Sequence, residues 1–365
     1  MNQLKPIRFQ MIGGFLGAGK TTTISRIARC YTDQGLRVGI VTNDQASGLV
    51  DTGTLQSQGF QVGEVGGACF CCHFDDLVST MRSFSIEEVP DVILAEPVGS
   101  CTDLVATVGE PIRRFYAGEF LVSPYAVLLK PEHGLKILRG QGGGFSAQAA
   151  YIFLKQLEEA GIVVINKVDK LTEEQLLELK RVVAQRYADK PLLAISAKTG
   201  RGIDQLMQAL DTVPQPAGDF IDVDYDVYAQ GEAELGWVNA TYAVKSKAPV
   251  DLDRYVEQVV RALGDRIKAL AEIAHLKGLA RTPTATSVAN LVSSASDVEI
   301  SLSSADAASV FELIINARVA IDPSQLALCV DESVASVSDD LACVATRTAQ
   351  QALRPGRPVP SHSLR

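Results

Sequence analysis

The chain of 365 residues has no apolar run of membrane-spanning length, no dense Lys/Arg cluster, no internal repeat and only seven cysteines. Each absence removes a class of explanation. Without about 20 consecutive apolar residues there is no spanning helix to expect. The opening "MNQLKPIRFQMIGGF" lacks the apolar core and small-residue cleavage pattern of a secretory leader, so a cytoplasmic protein is expected. A net charge of -9 and a pI near 5.1 argue against nucleic acid or an anionic membrane as the main partner. In a reducing compartment an odd number of cysteines, three of them crowded at Cys69, Cys71 and Cys72, makes a poor disulfide framework. A metal-binding or reactive cluster fits better.

What is present is ample apolar content, 47 % of residues, enough for more than one core in a chain of this length. To about residue 212, short apolar runs alternate with amphipathic helical stretches, the pattern of βα units and a mainly parallel sheet. The expected strands are 7–12, 37–43, 91–96, 125–130, 161–166 and 191–196, each apolar enough to be covered on both faces. Residues 213–236 are Pro/Gly/Asp-rich and read as a linker. Residues 237–335 read as a small α+β domain of βαββαβ type, with helices over 251–267 and 304–320 and a last strand at "LALCV". The basic, Pro-rich end, 336–365, reads as disordered.

"GFLGAGKT", Gly14 to Thr21, satisfies G-x-x-x-x-G-K-[ST] between an expected strand and an expected helix, the context that motif requires. Gly14, Gly17, Ala18 and Gly19 let backbone N–H groups close around phosphates, Lys20 reaches the β- and γ-phosphates, and Thr21 offers a hydroxyl to Mg2+, with Thr22 beside it. "NKVD", Asn166, Lys167 and Asp169 among it, follows another strand. This is the guanine-reading pattern, in which the Asp carboxylate accepts from the two donors of the base. "SAKTG", with Ser196, Ala197 and Lys198, matches the accompanying base loop. GTP is therefore expected over ATP. Glu96, ending the strand "DVILAE", and Gly99 stand where a nucleotide hydrolase needs a carboxylate near Mg2+ and an N–H near the γ-phosphate. Asp44 in "TNDQA" ends the second strand; a Mg2+ or catalytic role and an ordinary solvated loop acid weigh about evenly. Arg113 and Arg114 are the only candidates near these segments for an arginine finger.

Cys69, Cys71 and Cys72 lie in the chain between Asp44 and Glu96. C-x-C-C offers three soft thiolates to Zn2+ or a similar transition metal and leaves a fourth tetrahedral position, open to His73, Cys101, a water or a second subunit. A buried cysteine cluster or a redox pair are the alternatives. Adjacent Cys71 and Cys72 cannot both face one core in a regular element, which favours metal.

With "GFLGAGKTTT", "TNDQA", "CFCC", "EPVG" and "NKVD" in that order, the first 212 residues resemble the metallochaperone GTPase family of CobW-type proteins and the hydrogenase- and urease-maturation GTPases. The resemblance implies a P-loop GTPase domain with a small C-terminal domain, and a GTP/GDP-dependent homodimeric carrier. Such a carrier captures or delivers a metal for a client metalloenzyme, or serves a cobalamin-dependent enzyme. The sequence departs from the CobW-type pattern in having Gly67-Ala68 where Asn-Gly is common and in lacking a His-rich stretch. Three functions compete: a metal-delivering GTPase, a GTP-gated chaperone of a cobalamin enzyme with a structural or absent metal site, and a P-loop ATPase or kinase without metal cargo.

Overall fold

A computed structural model describes residues 5–44, 50–84, 89–212 and 220–364. The chain divides into two compact units. The first is Met1–Gln45, Phe60–Gly231 and Arg357–Arg365; the second is Ala46–Gly59 and Glu232–Gly356.

Chain order begins with β1 (Ile7–Gly14), α1 (Lys20–Asp33), β2 (Val38–Asp44), α2 (Val50–Ser57), β3 (Gln61–Gly66), α3 (Phe74–Ser83) and β4 (Val92–Glu96). After a π-helical turn at Val105–Gly109 come α4 (Glu110–Phe115), β5 (Phe120–Val122), β6 (Ala126–Leu129), α5 (Pro131–Leu138), α6 (Ala147–Glu159) and β7 (Ile162–Ile165). Next are α7 (Glu173–Arg186), β8 (Leu192–Ala194), α8 (Ile203–Thr212) and α9 (Tyr225–Ala233). All but α2 lie wholly or mainly in the first unit, whose parallel sheet runs β3-β2-β4-β1-β6-β7-β8, with β5 also paired to β1. β4, β6 and β7 are buried along their whole length, so their side chains are committed to packing and polar residues collect at the strand ends. α7 opens with the expected capping box of Thr172 and Gln175. β3 and β5, short and only partly apolar, escape the sequence pattern.

The second unit continues with β9 (Gly236–Asp251), α10 (Leu252–Lys268), β10 (Ile273–Arg281), β11 (Thr286–Leu291), β12 (Glu299–Leu302), β13 (Ala307–Val319), α11 (Pro323–Asp340) and β14 (Cys343–Leu353). Its antiparallel sheet runs β12-β11-β10-β13-β9-β14, and α10 and α11 share one apolar core with it.

Four expectations are corrected here. Residues 307–319, expected within a helix, form the central strand β13. Val310, Leu313, Ile314 and Ala317 also fit a helical stripe, but β-branched residues and hydrogen bonding on both edges decide for the sheet. "LALCV" is helical because Leu326, Ala327, Val330, Val334 and Val337 make a stripe of helical period. Asp322, whose side chain accepts from the N–H groups of Ser324 and Gln325, caps it ahead of Pro323. The linker range contains α9, while 213–219 lie outside the described residues. The range expected to be disordered contains the end of α11 and all of β14, an edge strand whose polar face hid it from hydropathy.

Candidate nucleotide site and cysteine cluster

The turn from β1 into α1 brings Gly14, Gly17 and Gly19 to φ values of 129°, 74° and 91°, positions that L side chains rarely adopt. A Cβ on Gly19 would also lie 2.5 Å from Asn166 Nδ2, so the turn and the "NKVD" loop are in close contact. Asn166 Nδ2 donates to Ala18 O at 2.8 Å, and its Oδ1 accepts from the N–H groups of Lys167 (2.8 Å) and Ala197 (3.0 Å). One amide thus ties together three loops that lie apart in sequence. Ser196 Oγ donates to Asp169 Oδ1, and Arg26 holds the base loop by donating to Lys198 O at 2.7 Å. Asp169 and Lys198 are exposed.

Lys20 is buried, and its ammonium donates to Gly14 O at 3.1 Å, closing the loop on itself. Thr21 Oγ1 donates to Glu96 Oε1 at 3.0 Å, bringing together the hydroxyl and the carboxylate expected at Mg2+. A Cβ on Gly99 would come within 2.9 Å of Lys20 Nζ, so the backbone of Gly99 lies close against the lysine. This donor set, a hydroxyl beside a carboxylate at the mouth of a phosphate loop, suits a hard, oxygen-seeking cation. Thr22 is exposed on α1. Asp44, half-buried, ends β2, where Thr42 is in register with Glu96 and Asp44 itself with Gly66. Arg113 and Arg114 both bind the buried Glu110 carboxylate, at 2.6 and 2.9 Å, an attachment a finger would have to give up.

The cysteine loop begins where β3 ends. Asn43, next to Asp44, donates from Nδ2 to Val65 O (2.8 Å) and Ala68 O (2.7 Å) and accepts from Phe70 N–H (2.8 Å). Sequence reasoning passed over it, although the motif "TNDQA" contains it. The sulfurs of Cys69 and Cys71 are 2.9 Å apart, those of Cys69 and Cys72 3.1 Å, and those of Cys71 and Cys72 3.8 Å. Among the described residues this is the one group of three or more His, Cys, Asp or Glu side chains placed to share an ion. A tetrahedral zinc site with bonds near 2.3 Å sets its sulfurs about 3.8 Å apart, so the triad needs to spread by less than about 1 Å. His73 turns to Asp76 instead, Nδ1 to carboxylate oxygen 3.1 Å. Hydrogen bonds from Cys101, then Cys71 and Cys72, hold the Cys69 thiol far below the ordinary cysteine value. Its two neighbours move the other way, chiefly through their hydrogen bonds with Cys69, Cys72 rising to about 11.

The C-terminal segment crosses this cluster. Val359 N–H donates to Cys72 Sγ at 3.3 Å, Ser361 N–H to Cys71 O at 2.8 Å, and Ser361 Oγ to Cys72 O at 2.9 Å. The His362 ring sits 4.9 Å from Phe74 and 5.3 Å from Phe115, and Leu364 N–H reaches Ala106 O at 3.1 Å. These contacts, through backbone and side chains alike, come from an aperiodic segment, invisible to pattern reading and the reason the disordered assignment fails here too.

A family model for the CobW/HypB/UreG nucleotide-binding domain matches residues 8–193, just over half of the 365. The chain belongs to the CobW/HypB/UreG family. Members of the CobW/HypB/UreG family are GTPases. The zinc chaperone CobW of a Sinorhizobium species is 29% identical over 210 residues, 52% of this chain and 58% of that protein. The zinc chaperone YeiR of Escherichia coli K12 is 27% identical over 193 residues, 51% of this chain and 54% of its own length. The chain thus spans little more than half the length of these relatives. The urease accessory protein UreG of Trichodesmium erythraeum is 27% identical over 206 residues, 54% of this chain and 87% of UreG. Among solved structures, the hydrogenase maturation factor HypB of Archaeoglobus fulgidus aligns with a TM-score of 0.41 at 18% identity, covering 56% of this chain and 89% of HypB. No described helix is long and apolar enough to cross a membrane.

Proposed function

We propose that the protein is a GTP-hydrolysing metal carrier that captures or delivers a zinc-like ion at Cys69, Cys71 and Cys72 for a client metalloenzyme. The observation that carries this reading is Asn43. Its one side chain bonds both sides of the cysteine turn, Ala68 and Phe70, while the next residue, Asp44, ends β2 two residues beyond Thr42, the register partner of Glu96. A displacement of β2's end at the nucleotide is therefore transmitted to the thiols through direct bonds.

In this reading the glycine turn binds the phosphates by backbone N–H groups, and Lys20 exchanges Gly14 O for phosphate oxygens. Asp169 accepts from the two guanine donors once Ser196 shares it, and Lys167, at φ 60°, presents its chain beside the base. Thr21 and Glu96 would hold Mg2+, which supplies charge neutralisation on the phosphates when bound. Gly99 N–H is the donor nearest the γ-phosphate, and Asp44 orients water or the Mg2+ shell. Hydrolysis is slow without a client, because both nearby arginines are engaged by Glu110.

The test is a Zn2+ titration of the nucleotide-free, GDP-bound and GTP-analogue-bound protein. The expected result is one ion per chain, with affinity differing at least tenfold between nucleotide states, a coupling of about 1.4 kcal/mol that must run equally in both directions. The triple change of Cys69, Cys71 and Cys72 to Ser abolishes the site and leaves GTP binding intact. Equal affinity in all states overturns the coupling. Absence of stoichiometric binding in any state favours the chaperone of a cobalamin-dependent enzyme.

A further inference from the structure

We propose that Cys101 is the fourth thiolate of the cysteine site and that its engagement is set by the nucleotide, through the loop it shares with Glu96 and Gly99. The proposal rests on the metal-carrier reading and adds the residue that would make the site switchable.

Cys101 is 1 % exposed and its thiol is hydrogen-bonded to Cys69. It comes from a different loop than the other three, five residues after Glu96 and two after Gly99. The compact triad has sulfurs all within 4.8 Å of one another, and Cys101 touches it on the Cys69 side without belonging to it. The fourth sulfur therefore stands one contact away from coordination. His73, the nearest alternative in sequence, is directed at Asp76.

The loop that carries Cys101 is held as one piece. Cys101 N–H donates to Val98 O at 3.0 Å. Gln156 of α6 donates from Nε2 to both Gly99 O (3.0 Å) and Cys101 O (2.8 Å), so these two carbonyls move together or exchange one donor. Just beyond, Thr102 Oγ1 donates to Glu159 at 2.9 Å, and Thr102 N–H donates to Tyr228 Oη at 3.3 Å. Asp103, at φ 66°, accepts from Tyr225. The segment behind Cys101 is thus anchored to α6 and α9. On its other side Gly99 lies against Lys20, where a Cβ would come within 2.9 Å of the ammonium. A γ-phosphate bound by Lys20 and Gly99 must displace the loop between a fixed anchor and the nucleotide, and Cys101 is the thiol in that span. Three thiolates with a labile fourth suit a cargo ion better than a closed set of four.

The experiment uses the full chain loaded with Co2+, whose thiolate charge-transfer absorption grows with the number of bound sulfurs. Wild type is compared with Cys101→Ser and Cys101→Ala in the nucleotide-free, GDP and GTP-analogue states. GTP binding serves as the check that each variant is folded. The expected result is that wild type shows four-sulfur intensity in one nucleotide state and three-sulfur intensity in another. Both variants should show three in every state, with affinity in the four-sulfur state reduced by about 10- to 100-fold or more. Identical spectra for wild type and variants in all states overturn the proposal. Should both variants fail to bind GTP, cadmium NMR of the wild-type protein counts the sulfurs directly, and a three-sulfur signal in every state overturns it equally. If wild type binds no Co2+ at all, the metal-carrier reading falls and takes this proposal with it. If wild type binds through three sulfurs throughout, only the role of Cys101 falls.

Discussion

The two units handle their sheets in opposite ways. In the first, strands such as β4 and β7 are buried along their whole length, so strand bodies serve packing alone. The candidate site residues gather at the strand ends instead: Lys20 and Thr21 open α1 after β1, Glu96 ends β4 with Gly99 beyond it, and Asn166 and Asp169 follow β7. In the second, an antiparallel sheet shares one core with α10 and α11, and its long strand β9 alternates buried and half-exposed residues from Thr241 before becoming mostly exposed. No metal-type cluster forms there among the described residues. The difference shows that a parallel sheet covered on both sides gathers its polar side chains at the strand ends, whereas an antiparallel sheet with one covered face spreads them along its strands.

The largest break in that comparison should come from the core of the second unit. Leu313 on β13 is fully buried, and Leu313→Ala should cost about 2–5 kcal/mol of stability in a denaturant melt. GTP affinity measured on the still-folded protein should be unchanged. A loss of nucleotide binding parallel to the loss of stability would show that the two units do not divide the labour as described.

Asp169→Asn tests the other side. Losing hydrogen bonds to a charged group costs about 1.5–3 kcal/mol, so GTP affinity should fall about 10- to 150-fold while xanthosine triphosphate, with its altered donor pattern, improves. Thermal stability should barely move. Equal affinity of the parent protein for ATP and GTP would remove the guanine assignment.

Glu159, at the end of α6, sharpens the comparison by its pH dependence. Burial drives its carboxyl up to about 8, beyond what the N–H of Val105 and the hydroxyl of Thr102 offset. Its folded value lies above the ordinary 4.5, so the native state holds a proton that the unfolded chain releases. This group therefore makes the protein less stable as pH rises from about 4.5 to about 8, with no further change above. Glu159→Gln should flatten that decline, since the amide can accept from Val105 and donate to a rotated Thr102 hydroxyl. A decline unaltered in the variant would assign the titration to another group.

The smallest expected effect is kinetic. Removing residues 357–365 should speed metal exchange at Cys72, read by competition with a chromophoric chelator, with the equilibrium affinity shifted only a few-fold. An unchanged exchange rate would mean that Val359 and Ser361 merely rest on the site.

Legibility followed the same division. The placement of the glycine turn, the "NKVD" and "SAKTG" loops and the cysteine triad was legible because each is a contiguous stretch with a defined spacing. Asn43's bonds to the cysteine turn and the crossing by 357–364 could not, since each joins segments brought together only by the fold; Cys101 stood among the candidates for the fourth position, but the contact with Cys69 that separates it from His73 is likewise made only by the fold. In the second unit, β13 read as a helix because ten apolar-rich residues satisfy both periods, and only its pairing with β9 and β10 resolves the choice. β14 was missed because it is a polar edge strand, exposed along most of its length, and carries little hydropathy.

The crossing segment has a practical consequence for anyone handling the protein. Leu364 is bonded to Ala106, and Val359, five residues earlier, is bonded to a cysteine sulfur. An oligohistidine handle attached directly after residue 365 would begin within about 20 Å of chain from the thiols, close enough for its imidazoles to compete for the same ion. Metal content measured on such a preparation would report the handle as much as the cluster. A handle at the opposite end of the chain, or one removed by cleavage, leaves the thiols as the principal soft ligands in the tube.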